Sequence, residues 1–240
     1  MTTQGRLTVG IIGAGRVGPV IGAGLAGAGH HIVAINAVSD EAIERADALL
    51  PGVPVMSVPE VVAAADLIVL AVPGDQLPGL VSGLAATEAW RMGQIVLHTN
   101  AEYGVSVLRP AAMAGAIPLA LHPALQFTGT SMDLLKLRDA RCAVTAPTAV
   151  LPIAQALVLE LGAEPVIVRE EDRPAYAEAI DTATQFSAAV VRQAVDLLEG
   201  IGLSEPGRLL GPVIRSAVEA TLAEASGSRL DPSGADQPQE

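Results

Sequence analysis

The chain of 240 residues has a single cysteine, Cys142, so no internal disulfide is possible. Basic residues are scarce: 14 Lys and Arg stand against 26 Asp and Glu, a net charge of −12. An acidic chain repels phosphate backbones, which argues against nucleic acid as a partner. Lys136 is the one lysine. Long apolar runs are also missing. The run Leu67 to Val72 is strand length, far short of the roughly 20 residues of a membrane span, so no membrane partner is expected. The N-terminus enters an apolar strand almost at once, leaving no room for a secretion signal, and a cytoplasmic protein is the expectation. Four scattered histidines and one cysteine show no metal-ligand spacing, so no metal is expected. No internal repeat or low-complexity tract is visible.

What is present is concentrated in the first thirty-odd residues. Leu7 to Ile12 reads as a strand, Gly13-Ala14-Gly15-Arg16-Val17-Gly18 as a turn, and a small-residue helix runs to Gly29. His31 to Ile35 reads as a second strand. This is a βαβ unit carrying G-x-G-x-x-G, the dinucleotide-binding pattern. Gly13 allows the tight turn, Gly15 lets the backbone approach a pyrophosphate, and Gly18 lets the helix pack close to the sheet. The helix N-terminus offers free N–H groups and partial positive charge to the phosphates.

The pattern then alternates. Residues 40 to 50 read as a helix ended by Pro51-Gly52, 53 to 56 as a short strand, and 59 to 65 as a helix start and turn. The run 67 to 72 suits a strand buried on both faces of a parallel sheet. Further strands are expected at 94 to 98, 117 to 121, 142 to 145 and 165 to 168, with a helix near 150 to 161. Strands alternating with helices predict an α/β fold with a Rossmann-type, mostly parallel sheet. From about residue 170 the pattern changes. Asp172 is a plausible cap and Pro174 a first-turn residue of a helix running to about Glu199. Tyr176, Ile180, Ala183, Ser187, Val190, Ala194 and Leu197 form its apolar stripe. Ser204 caps a second helix, interrupted at Gly211-Pro212 and ending near Ala225. The expected organisation is a dinucleotide-binding domain over 1–169, a smaller all-helical domain over 170–226, and a polar, disordered tail over 227–240.

In open α/β sheets ligands bind beyond the carboxyl ends of the strands. Three loops qualify besides the glycine turn: the one after Val72-Pro73, the one after His98-Thr99-Asn100, and the one running from His122 to Thr130. His98 and His122 stand at neighbouring strand ends, where a histidine can act as a general acid. The alternative is that both are buried and bonded to backbone. His30 and His31 read as surface residues. An NAD site places Asp or Glu at the end of the second strand, to bind the ribose 2′-hydroxyl. Asn36 stands there instead, which removes repulsion against a 2′-phosphate, and Arg16 or Arg45 could pair with one. NADP is therefore favoured over NAD. The cofactor-binding candidates are Gly13, Gly15, Arg16, Val17, Gly18, Asn36, Val72 and Pro73.

Several segments in one order carry a resemblance: the Gly13 to Gly18 turn, Ala65-Asp66 to Pro73, His98-Thr99, Leu121-His122-Pro123 with Phe127, and Glu171-Asp172-Arg173-Pro174-x-Tyr176. From about residue 6 to 225 the chain resembles a Rossmann-like oxidoreductase family carrying a C-terminal domain of unknown function. That family belongs to the group that includes pyrroline-carboxylate reductases and 6-phosphogluconate-type dehydrogenases. The resemblance implies reduction of a small 2-oxo acid or related carbonyl with NADPH. Ketopantoate is the first candidate, because some members act as an alternative class of ketopantoate reductase. A homodimer formed through the helical domain is expected.

The departures bear on activity. Members usually carry His-Thr-Ser-Gly where this chain has His98-Thr99-Asn100-Ala101, and often Thr where it has Gln126. They tend to carry His at the positions of Ala177 and Phe186. A diverged paralogue that binds a dinucleotide without turnover, as a sensor or partner subunit, is the competing expectation. Related enzymes use a helical-domain lysine on the substrate oxygen, whereas Lys136 precedes the Cys142 strand. If the chain reduces a carbonyl, His122 or His98 is the expected proton donor, with Asn100 holding the oxygen. Hydride chemistry itself belongs to the cofactor.

Overall fold

The computed structural model describes residues 6–227. Seven strands form one sheet in the order β2-β1-β3-β4-β5-β6-β7. They are β1 (Thr8–Ile12), β2 (His31–Asn36), β3 (Leu67–Leu70), β4 (Ile95–His98), β5 (Ile117–Pro123), β6 (Arg141–Thr145) and β7 (Glu164–Ile167). β1 to β5 are mutually parallel, β6 runs antiparallel to β5, and β7 is parallel to β6. The sheet is thus mostly parallel and of Rossmann type, as the alternating pattern predicts. The segment at 53 to 56 is not a strand of its own: Val55 makes one isolated bridge to Ile35 at the sheet edge. Four residues with Pro54 among them cannot sustain a ladder, because proline has no N–H to donate.

The apolar runs are buried on both faces because each strand feeds two cores by alternation. Ile11, Leu67, Val69 and Leu97 join one core with α1 (Gly18–Gly27) and α7 (Leu151–Glu160). Ile12, Ile68, Leu70 and Val96 join the other with α3 (Val58–Ala64) and α4 (Leu77–Ala86). On the first face also lies α6 (Met132–Leu137), which packs beside α1. On the second lies α5 (Arg109–Met113), contributing Ala111. The helix α2 (Asp40–Leu49) is capped by Ser39, whose hydroxyl accepts the Ala42 N–H.

His30 is not at the surface. Its Nδ1 accepts the Leu7 amide at 3.1 Å and its Nε2 meets the Glu160 carboxylate at 2.7 Å, so both ring nitrogens are satisfied in a buried position. His31 is exposed.

The chain divides into two compact units, Met1–Asp181 and Thr182–Glu240. The first ends with a short 3₁₀ turn at Glu170–Asp172 and the helix α8 (Arg173–Asp181). Asp172 therefore lies in the 3₁₀ turn and does not cap the helix. The second unit opens with a π-helical turn at Thr182–Phe186 and continues as α9 (Ser187–Gly200) and α10 (Pro206–Gly227). α10 continues through Gly211-Pro212 and is not interrupted there. The apolar stripe expected on α9 is not buried: Val190 is 64% and Leu197 67% exposed. No helix among the described residues is long and apolar enough to cross a membrane. Apart from Gly227, the expected tail lies outside the described residues.

Candidate functional site

Because β1 to β5 are parallel, Ile12, Asn36, Leu70, His98 and Pro123 all end at one edge of the sheet. At the β1 end the chain turns sharply. Gly13 has φ +102°, and a Cβ there would lie 2.5 Å from the Ala71 carbonyl oxygen. At Gly18 a Cβ would lie 2.0 Å from the Gly13 carbonyl oxygen. Both glycines are demanded by the fold. Gly15 is different: nothing lies within 4 Å of the place its Cβ would take. It faces a cleft of about 560 Å³ whose lining includes Gly13, Ala14, Asn36, Val72 and Pro73. The fold thus holds a bare backbone, at the start of a helix that no side chain caps, against open space. A pyrophosphate fits such a place.

The other cofactor candidates fall elsewhere. Val17 packs against the first core, and Gly18 is buried beneath the turn. Arg16 lies outside the cleft and lines a neighbouring cavity. Arg45 reaches the turn from α2 and donates to the Ala14 carbonyl at 3.1 Å. Asn36 stays at the cleft, its Nδ2 donating to the Met56 carbonyl at 2.9 Å.

At the ends of β4 and β5 stand the two histidines. His98 pairs in register with Ala120, placing His122 one turn of the pleat further along the neighbouring strand. His98 is fully buried, with Nε2 2.8 Å from the Gly104 carbonyl and Nδ1 accepting the Asn100 amide at 3.2 Å. Burial drives its pKa down to about 4, so it is neutral and fully bonded at pH 7. That geometry makes it a scaffold for the loop that follows, as the alternative reading of the sequence has it. Asn100 serves the same loop: its Oδ1 accepts the amides of Glu102 and Tyr103 at 2.8 and 3.2 Å. Its Nδ2 lies so near Gly74 that a Cβ there would approach it to 2.6 Å.

His122 is half-buried and differently placed. Its Nδ1 shares a hydrogen bond of 2.8 Å with the Tyr176 hydroxyl of α8, the two rings meeting edge to face. Burial, and then the positive charge of Arg173, lower its pKa to about 4. Burial raises the Tyr176 hydroxyl to about 12. At pH 7 the pair is neutral and shares one proton between two heavy atoms, with the imidazole keeping a second.

Arg173 organises this edge. Its guanidinium is fully buried, with no carboxylate in salt-bridge contact among the described residues. Nε donates to Thr145 Oγ1 at 2.7 Å, and Nη2 to the carbonyls of Ala120 and Ala143 at 3.0 and 3.2 Å. Nη1 leans to the carbonyls of Asn100 and Ala101 at 3.4 and 3.5 Å. One side chain therefore ties together β5, β6 and the loop after β4. Three residues earlier, the Glu170 carboxylate accepts the amides of Val105 and Ser106 at 2.7 and 2.9 Å, holding the far end of that loop. Burial acts to raise the Glu170 pKa, but those bonds and the nearby Arg173 charge win and hold it low. Neither role is legible in the sequence, where 170 to 174 reads as a charged helix start. The available signal is the spacing Glu170, Arg173, Tyr176, which repeats every third residue and so stays on one side of a helical segment.

Set against known proteins, residues 1–123 match the Rossmann-like domain family. Residues 140–229 match the domain of unknown function DUF2520. No curated protein sequence matches the chain. Among solved structures the fold is similar to a provisionally named NADP oxidoreductase from Bacteroides fragilis, with a TM-score of 0.74 at 17% identity over 90% of this chain and 80% of that one. It is also similar to an imine reductase from Pseudomonas sp., with a TM-score of 0.70 at 15% identity over 92% and 77% of the two chains. A third likeness is to the Plasmodium falciparum pyrroline carboxylate reductase with NADP bound, with a TM-score of 0.63 at 13% identity over 95% and 86%. At such identities the likenesses speak for the fold. The paired matches identify the chain as a member of the Rossmann-like family that carries a C-terminal DUF2520 domain.

Proposed function

We propose that the protein is an NADP-dependent oxidoreductase that reduces a small 2-oxo acid or related carbonyl, with ketopantoate the first candidate. The observation that carries this reading is the open backbone at Gly15, which faces a cleft at the carboxyl ends of the strands. The similar solved proteins named as NADP oxidoreductases and reductases support the class. Bound in the cleft, the nicotinamide would supply the hydride. Gly13, Gly15 and the α1 N-terminus would hold its phosphates, and Val72 and Pro73 its ribose side. A carbonyl oxygen that gains a hydride at its carbon needs a proton, and in this reading His122, near the end of β5, would give it. The carboxylate of a 2-oxo acid beside His122 raises the imidazole pKa from its low resting value, since a nearby negative charge favours the protonated ring. Tyr176, bonded to Nδ1, would hold the ring's orientation. His98 and Asn100 shape the loop. In this reading the protein works in the cytoplasm as a homodimer joined through the helical unit, where Phe186, Val190, Leu197 and Ile201 are exposed.

Turnover tests the role of His122. With NADPH and a panel of small 2-oxo acids, His122→Asn is expected to lower kcat by roughly 10²-fold, the usual worth of a general acid. Tyr176→Phe should lower it less and shift the pH profile. NADPH affinity should hardly move in either variant. A loss of stability without selective loss of rate would make His122 a core residue.

A second reading is favoured by specific side chains. His98 and Asn100 are engaged by the backbone, and Gln126, Ala177 and Phe186 replace polar groups usual in the family. A dinucleotide-binding protein without turnover would show firm NADPH binding and no NADPH oxidation with any 2-oxo acid.

Cofactor choice turns on Asn36. Neither Arg16 nor Arg45 lines the cleft, so the preference rests on the missing carboxylate. NADPH is expected to bind more tightly than NADH, and Asn36→Asp to reverse the order by repelling the 2′-phosphate. Equal affinities in the parent protein would show that this residue does not set the choice.

A further inference from the structure

The one lysine of the chain has a place that the reaction does not use. Lys136, on α6, lines a cavity of about 540 Å³ together with Arg16, Leu125, Gln126, Phe127 and Thr128. Arg16 belongs to the glycine turn, so this cavity and the cofactor cleft flank the same six residues. Its other wall is the loop after β5. That loop is pressed onto the turn: at Gly129 (φ +79°) a Cβ would lie 3.2 Å from Arg16 Cα and 2.8 Å from Arg45 Cδ.

The wall is preorganised. Asp133 is fully buried, and its carboxylate accepts the amides of Thr128 and Gly129 at 2.7 and 2.8 Å and the Thr128 hydroxyl at 2.9 Å. Burial acts to raise its pKa, but the bonds from Gly129 and Thr128 win and hold it below the usual carboxylate range. Lys136 Nζ lies 3.5 Å from Oδ1, the longest of these contacts, and its side chain is half exposed. The aspartate is thus satisfied by its loop, and the lysine is left facing the cavity. In a chain with 26 acids against 14 bases, Arg16 and Lys136 line one cavity, and Arg45 reaches the same glycine turn to bond the Ala14 carbonyl.

We propose that this cavity is a phosphate-binding subsite, in which Lys136 and Arg16 grip a phosphate group from the side of the β5–α6 loop. The inference rests on the dinucleotide reading for its simplest ligand, a phosphate of the bound cofactor. The same chemistry would serve the phosphate of a second small molecule, and the experiment separates the sources.

Binding of inorganic phosphate, NADH and NADPH is measured by calorimetry at matched ionic strength, for the parent protein, Lys136→Gln, Lys136→Arg and Arg138→Gln. Arg138 is exposed near the end of the same helical segment, packs against Gly162, and is not among the residues lining the cavity, so it controls for net charge alone. Lys136→Gln is expected to weaken at least one probe about tenfold, the scale of a charge-assisted hydrogen bond. Lys136→Arg should restore it and Arg138→Gln should change nothing. Equal loss for NADH and NADPH assigns the pyrophosphate; loss for NADPH alone assigns the 2′-phosphate; loss for inorganic phosphate alone assigns a second phosphorylated ligand. If the parent binds phosphate through Lys136 but neither nucleotide, the dinucleotide reading fails and the subsite stands. If Lys136→Gln matches the parent with all three probes, the subsite is overturned.

Discussion

Gly15→Val is expected to abolish the stabilisation that NADPH gives the parent protein while leaving the unliganded melting temperature nearly unchanged. A ligand present at about 100 times its Kd, binding only the folded state, adds about 2.7 kcal/mol. For a chain of this size that is a rise of roughly 5–10 °C. The valine Cβ would project into the cleft with no atom beyond its chain neighbours within 4 Å, so folding should lose little while the phosphate path is blocked. The neighbouring glycines make the comparison sharp. Gly18→Ala places a Cβ 2.0 Å from the Gly13 carbonyl oxygen and Gly13→Ala a Cβ 2.5 Å from that of Ala71, so both should destabilise the protein without ligand. Differential scanning fluorimetry with and without NADPH separates the two behaviours. A Gly15→Val protein that keeps the full NADPH shift would remove the cofactor site from this turn.

The contrast among these glycines shows what a sequence carries and what it omits. The G-x-G-x-x-G spacing between a strand and a helix locates the turn, and the apolar runs locate β1, β3 and β4, because strand burial is written into consecutive residues. The motif also assigns Gly13 to the turn, Gly15 to the phosphate and Gly18 to close packing; what it omits is the contact behind a role, such as the Ala71 carbonyl that fixes Gly13 from fifty-odd residues away. Likewise, His98 and His122 look alike as residues ending apolar strands. Their difference comes from the partner each meets, a local carbonyl at Gly104 for one and the distant Tyr176 hydroxyl for the other. Arg173 is hidden for the same reason. It closes a run of five charged residues, Arg169 to Arg173, and only the packing of the chain against the strand ends decides that its guanidinium goes inside while Arg169 and Glu171 stay exposed. His30 reads as a surface residue for the same reason, because the partners that bury it, Leu7 and Glu160, are remote in sequence.

Arg173→Met should have the largest effect on stability. Methionine fills much of the same volume but donates nothing, so the Thr145 hydroxyl and the carbonyls of Ala120 and Ala143 lose their buried donors. Each buried group left unsatisfied costs about 1–3 kcal/mol, and the sum with partial relaxation is about 3–5 kcal/mol. Arg173→Lys keeps the charge but cannot reach acceptors on β5, β6 and the β4 loop at once, so it should fall between. Proton linkage supplies a signature that simple loss of packing would not. In the parent both His98 and His122 have pKa values of about 4, below their ordinary 6.5, so the unfolded chain binds their protons first as pH falls. Their stabilisation is complete above about pH 6.5 and is lost as pH falls through that window toward 4. Removing the Arg173 charge removes one cause of both shifts, while burial, the larger cause, remains. Both histidines should therefore titrate at higher pH in Arg173→Met, and the acid-side loss of stability should become shallower. Urea unfolding at a series of pH values, with ring-proton titration of His122 by NMR, reads both. A methionine variant as stable as the parent, with an unmoved His122, would mean that Arg173 neither ties the strand ends together nor sets the charge at the site.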